Sequence, residues 1–308
     1  MKPKAIQIDR RWIGAPEGAW NPTVTLFVVA LGGYGLGAAG MLTGILPALP
    51  GVLWLAVCLY LSFTVLHDAM HGTAHRSKAV GHAMGRVCGL LLMAPLPLFR
   101  GVHHAHHGHT NDPERDPDLI VAAGPAWLRP LALALTLPAY RWEFYRQRLW
   151  RDAAGLRETV VCDVALAGFL TWAFVWGAAA WVLLLWIAPL MLAAVWLAFA
   201  FDYLPHQPHT QQGRYYDTRV CPGRIANLIL LGQNYHLVHH LWTTIPWYRY
   251  QQVFASIEPE LRERDCAIGW ASRAVAPAGS AESVGPAAHI LEAPMPRAVA
   301  VQLGEACQ

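Results

Sequence analysis

No charged side chain occurs between residues 21 and 66, and between 159 and 201 there is only Asp163. Few folds accept such runs. About 20 apolar residues in a helix cross the hydrocarbon core of a bilayer, and each run is long enough for two crossings. Pro47, Pro50 and Gly51 divide the first, while Gly177 and the alanines after it divide the second. Four transmembrane helices follow, at about 23–46, 48–66, 159–179 and 181–201, paired as two hairpins. The fold class is thus all-α and integral to the membrane.

Composition agrees. Hydrophobic residues make up 55% of the 308 and charged residues only 14%, against about 25% in an ordinary soluble domain. The 14 tryptophans suit membrane–water interfaces. The net charge of +3 includes no basic run dense enough for nucleic acid. The six cysteines form no CxxC pair, which argues against a disulfide framework, a zinc ribbon or an iron–sulfur site. Residues 1–20 carry both signs of charge and no short apolar core with a cleavage site, so they do not read as a signal peptide.

Charge placement sets the expected orientation. All 23 basic residues lie in the N-terminal segment, in the 67–158 loop or after residue 201. By the positive-inside rule these segments, both termini included, are expected to be cytoplasmic. Residues 83–99 are apolar but too short and proline-interrupted to span, and read as re-entrant or interfacial. Residues 139–151 mix aromatics with four arginines, as a helix in the headgroup region would. The organisation is therefore a cytoplasmic segment (1–20), a membrane domain (21–270) and an Ala/Pro/Gly/Ser-rich tail (271–308) expected to be disordered.

Three histidine clusters stand just beyond the apolar runs: His67 and His71; His103, His106 and His107; His236, His239 and His240. On a helix, positions i and i+4 share a face about 6 Å apart, so His67 and His71 can hold one metal. Adjacent positions diverge by about 100°. His106 and His107 can therefore address two different metals while His103 shares a side with either, and the last cluster obeys the same geometry. Eight imidazoles are too many for one ion and suit two. Asp202 and His206, one helical turn apart, end the last span where the clusters converge. With no cysteine in any cluster, a thiolate zinc site is disfavoured. The imidazole count alone leaves copper and nickel open; iron fits best, because imidazole suits it and a pair of ferrous ions activates O2. Beside apolar walls, that chemistry points to oxidation of a lipid-soluble C–H bond.

The order HDxxH, HxxHH, HxxHH with hydrophobic pairs between resembles the membrane fatty-acid desaturase/hydroxylase superfamily over roughly residues 20–265. That resemblance implies a di-iron centre that uses O2 and two electrons to desaturate or hydroxylate an alkyl chain. It also implies a ninth histidine, matched by His206. The family's asparagine four residues earlier, which reaches one iron through water, is replaced here by Asp202, an acid that could ligate directly or alter the iron's charge. Four stretches are similar to the bacterial carotene-hydroxylase branch: 66–76 (LHDAMHGTAHR), 99–113 (FRGVHHAHHGHTNDP), 201–210 (FDYLPHQPHT) and 234–250 (NYHLVHHLWTTIPWYRY). The branch implies hydroxylation of a carotenoid β-ionone ring in a bacterial inner membrane. Fatty-acyl desaturases and hydroxylases share the histidine frame and are the alternative; a histidine-rich metal transporter is a more distant one, because the spans themselves hold almost no ionisable group.

The expected metal ligands and catalytic residues are His67, His71, His103, His106, His107, His206, His236, His239 and His240, with Asp202 in an open role. His75, His104, His109 and His209 are expected outside the ligand set, and Asp112, Glu114, Asp116 and Asp118 either anchor ligating imidazoles or form a solvated loop. Asn234 is a candidate hydrogen-bond partner of the third cluster, and Asp68 a capping or supporting residue. No HPGG or ferredoxin-type cysteine set occurs, and the GxGxxG string at Gly35–Gly40 falls inside the first apolar span, not at the strand-to-helix turn that nucleotide binding needs. Electrons must therefore come from a separate donor such as a ferredoxin.

Overall fold

Long apolar runs become long helices because a backbone in lipid must satisfy its own hydrogen bonds. The computed structural model describes residues 5–122, 127 and 129–270; these fall in one unit, Met1–Ala274, and the expected tail lies outside the described residues. Four helices are long and apolar enough to cross a membrane: α1 (Pro22–Leu42), α2 (Ala48–His71), α7 (Ala153–Val175) and α8 (Ala179–Tyr203). Between them come α3 (Lys78–Leu91), α4 (Leu96–His109), α5 (Arg129–Ala134) and α6 (Thr136–Arg146). After them come α9 (Arg224–Leu230), α10 (His236–Leu241) and α11 (Tyr250–Glu263). Among the described residues there is no strand, only a single parallel bridge between Val220 and Ile268.

The caps explain the boundaries. Asn21 accepts from the amides of Thr23 and Val24 while Pro22 occupies the first turn of α1. Gly72, at φ 77°, ends α2 in the left-handed region, and Thr73 N–H returns to Asp68 O at 2.9 Å. The break in the first apolar run lies at residues 43–47; Pro50 and Gly51 were expected to share it but sit inside α2. Proline is tolerated there because the first-turn N–H groups have no helical partner. α2 also continues to His71, so the first cluster occupies its final turn. α7 begins at Ala153, capped by Asp152 on Gly155 N at 2.7 Å, six residues before the charge-poor run. Asp163 in that run is paired with Arg141 at 3.0 Å and accepts from the Tyr145 hydroxyl at 2.9 Å.

The 83–99 segment is two helices, α3 and α4, bent by 93° around residues 92–95, with Met93 left-handed and Pro95 leading into α4. α3 lies close against α2: a Cβ on Gly85 would fall 2.6 Å from that of Ala69. The Gly33/Gly37 pair likewise faces Trp54 and Cys58 of α2, and Trp54 Nε1 donates to Gly33 O at 2.7 Å. Toward its end α8 widens to π geometry over Ala198–Tyr203, with Leu204 N–H reaching Phe199 O. The extra residue turns Ala198, Phe201 and Asp202 together toward the interior.

Candidate metal centre

Four separate elements deliver imidazoles to one place: the last turn of α2, the C-terminal half of α4, the stretch after α8, and α10. His67, His103, His106, His206, His236 and His239 are buried, and His71, His107 and His240 half-buried. They sort into two groups whose potential ligand atoms lie within 4.8 Å of one another. The first comprises His67, His71, His103 and His239; the second comprises His106, His206, His236 and His240. His107 stands at the seam, its Nε2 3.0 Å from His103 Nε2 and 2.9 Å from His239 Nε2.

Helical spacing explains the sorting within each cluster. On α4 the adjacent His106 and His107 diverge, and His103 joins the first group while His106 joins the second. On α10, His236 and His240 face one way and His239 the other. Asp202 belongs to neither group; its carboxylate accepts from the Tyr140 hydroxyl at 3.4 Å.

Buried polar atoms demand partners, and here the imidazoles supply one another with nitrogens only. His67 Nε2 and His239 Nε2 are 3.1 Å apart, and His236 Nε2 and His240 Nε2 3.2 Å. His71 Nε2 and His206 Nε2 are buried with no hydrogen-bond partner. Burial, followed by repulsion from neighbouring imidazoles, holds His206, His236, His239 and His240 well below the ordinary histidine range. Converging imidazoles whose inward nitrogens meet only other nitrogens are the donor set that a pair of borderline-soft cations requires. The residues fit two metals.

Outer contacts orient several rings. His106 Nδ1 donates to Asp116 Oδ1 at 2.8 Å, with Asp118 Oδ2 at 3.3 Å; of the acidic loop, these two carboxylates reach the cage. His236 Nδ1 lies 3.2 Å from Gln233 Oε1, and His239 Nδ1 2.9 Å from the Tyr250 hydroxyl. Gln233 sits three residues before His236, a spacing visible in the chain; nothing local to Tyr250 marks it. Asn234 does not serve the cluster, since its amide donates to Cys221 O. Asp68 turns away from the cage and accepts from Thr23 Oγ1 at 2.9 Å, tying α2 to α1. His75 accepts from Ser77 N, and His209 packs on Tyr203; neither joins a group.

Beside the cage lies a narrow apolar void of about 40 Å³ between α2, the α3–α4 elbow, α6 and α8. Phe63, Phe99 and Phe201 form the wall nearest the histidines. Phe63 packs edge-on against the other two, and Phe99 stacks on His103 at 5.3 Å. Thr136, Tyr140 and Asp202 are the polar residues in its lining. A separate polar cleft is lined by His107, His240, Gln212, Arg214 and Asp217. There burial pushes the Asp217 carboxyl up to about 6.

Membrane-length helices whose ends meet at a buried imidazole cage define a histidine-cluster membrane protein. The chain belongs to the fatty acid desaturase family, whose model matches residues 43–272. It is 25% identical over 197 residues to a beta-carotene ketolase of Haematococcus lacustris, covering 61% of this chain and 56% of that protein. It is also 25% identical over 239 residues to an sn-1 acyl-lipid omega-3 desaturase (ferredoxin) of Synechocystis sp., covering 65% and 64%. A dihydrorhizobitoxine desaturase of Bradyrhizobium elkanii is 27% identical over 217 residues, 60% of each chain. The chain thus spans less than two thirds of the length of these curated relatives.

Proposed function

We propose that this protein is an O2-dependent di-iron oxygenase that hydroxylates a lipophilic substrate, foremost the β-ionone ring of a carotenoid. The observation that carries the reading is the cage of nine imidazoles sharing a wall with an apolar void. His67, His71, His103 and His239, with His107 beside them, would hold one iron, and His106, His206, His236 and His240 the other. When bound, the iron pair would supply reductive activation of O2. The reaction balances when one oxygen atom ends in the alcohol and the other in water, with two electrons and two protons consumed.

The protein's own contribution is position and exclusion. Phe63, Phe99 and Phe201 keep water from the substrate side and set how near an apolar group approaches the imidazoles. The polar cleft at His107 and His240 gives protons a separate approach. Four apolar spans in two hairpins would place the cage at the membrane surface, with the arginine-bearing segments and both termini cytoplasmic, in a bacterial inner membrane. Electrons would come from an external donor of the ferredoxin type, docking on that basic face; the ferredoxin-named desaturase relative supports the class.

The carotenoid reading draws on the four matched stretches and on the ketolase relative; the acyl-lipid desaturase relative supports a fatty-acyl substrate as the second reading. Expression in a β-carotene-accumulating bacterial host, with pigment chromatography, tests the choice. Conversion to a more polar xanthophyll, lost in His106→Ala, is the expected result. Unchanged carotene with altered membrane fatty acids would overturn the carotenoid assignment and establish the acyl one.

A further inference from the structure

The two histidine groups differ in the charge behind them. In the second group His106 is backed by Asp116 and Asp118 at 2.8 and 3.3 Å, in a pocket where the three side chains are at most 5% exposed. Asp202, one turn before His206, is a third buried carboxyl on that side. Among the described residues, no carboxylate lies within ion-pair distance of His67, His71, His103, His107 or His239. The outer contact of the first group is the neutral Tyr250 phenol on His239, while His67 Nδ1 has no partner at all.

A divalent cation taken out of water needs compensating charge, and the low local dielectric makes nearby anions count heavily. A carboxylate on the far nitrogen of an imidazole also fixes its tautomer and strengthens it as a ligand, an effect typically worth 10–100-fold in metal affinity. From these contacts we infer that the two metal positions are unequal: the position at His106, His206, His236 and His240 binds first and more tightly, and the other fills second. This inference rests on the two-metal reading above.

The test is an anaerobic titration of the metal-stripped full chain in detergent with ⁵⁷Fe(II), followed by Mössbauer spectroscopy and binding isotherms. The native protein should show one quadrupole doublet up to one equivalent and a second doublet thereafter, with dissociation constants at least about tenfold apart. Asp118→Asn, and separately Asp116→Asn, should weaken the first step about 10–100-fold and close the gap. Tyr250→Phe should weaken the second step alone. Two indistinguishable steps in the native protein, or acid variants that weaken only the second step, would overturn the inequality while leaving the two-metal reading intact. Failure to bind more than one iron would overturn both. The native titration decides whether the positions are unequal even if a variant does not fold, and any one of the three variants assigns which fills first.

Discussion

The Tyr250 hydroxyl lies 2.9 Å from Nδ1 of His239, joining the start of α11 to the imidazole that projects into the first histidine group. Tyr250 is fully buried, so the contact is sheltered from competing water. With a metal on Nε2, Nδ1 would carry the proton and donate to the phenol oxygen, which would set the ring's tautomer and plane.

Replacing this phenol should therefore act on metal retention more than on folding. Tyr250→Phe keeps the ring and removes one hydrogen bond, leaving a buried N–H unsatisfied at a cost of about 1–3 kcal/mol. Iron content after gel filtration should fall toward one ion per chain and xanthophyll yield about tenfold or more, while expression level stays near native. Native iron content would show that the contact does not position the ring.

Filling the apolar void should separate substrate binding from metal binding. Ala194 and Ala198 are buried small residues in its lining. Ala194→Leu or Ala198→Leu projects added methyl groups into it at a packing cost of about 1–3 kcal/mol. Product formation should drop at least about tenfold with iron stoichiometry unchanged. Unaltered turnover would place the substrate elsewhere.

The Thr23–Asp68 bond is a stability element. Both residues are buried, and the hydroxyl donates to the carboxylate at 2.9 Å. Thr23→Ala removes a donor from a buried acid, which should cost about 1–3 kcal/mol and lower the thermal aggregation temperature in detergent. Thr23→Ser, which restores the hydroxyl, should recover most of the loss.

Metal-free protein should lose stability on mild acidification. His206, His236, His239 and His240 have folded-state pKa values held well below the ordinary one, whereas in the unfolded chain each titrates near 6.5. Above that pH both states are neutral and the stability is fully present. As pH falls through 6.5 the unfolded chain takes up protons that the cage refuses, at up to about 1.4 kcal/mol per histidine per pH unit. Melting temperatures of chelator-treated protein at pH 8, 7 and 6 should fall at the lowest value, and iron should raise all three. A flat profile would mean that the cage accepts protons freely.

Much of this was legible in the chain, and the limit of legibility is physical. The charge-free run at Asn21–Leu66 and the charge-poor run at 159–201 announce membrane-length helices because hydrocarbon tolerates little else. The divergence of His106 from His107 follows from 100° per residue, a property of any helix. Both are local, so they survive without knowledge of what the helix packs against. Only the tertiary structure decided that His239, 172 positions after His67, shares a group with it while His240 joins His106 and His206. It likewise decided that Asp116 and Asp118 back one group and Tyr250 the other, and that three phenylalanines from α2, α4 and α8 wall the void. Such pairings come from how helices pack across long loops, where no periodicity of the chain records the partner.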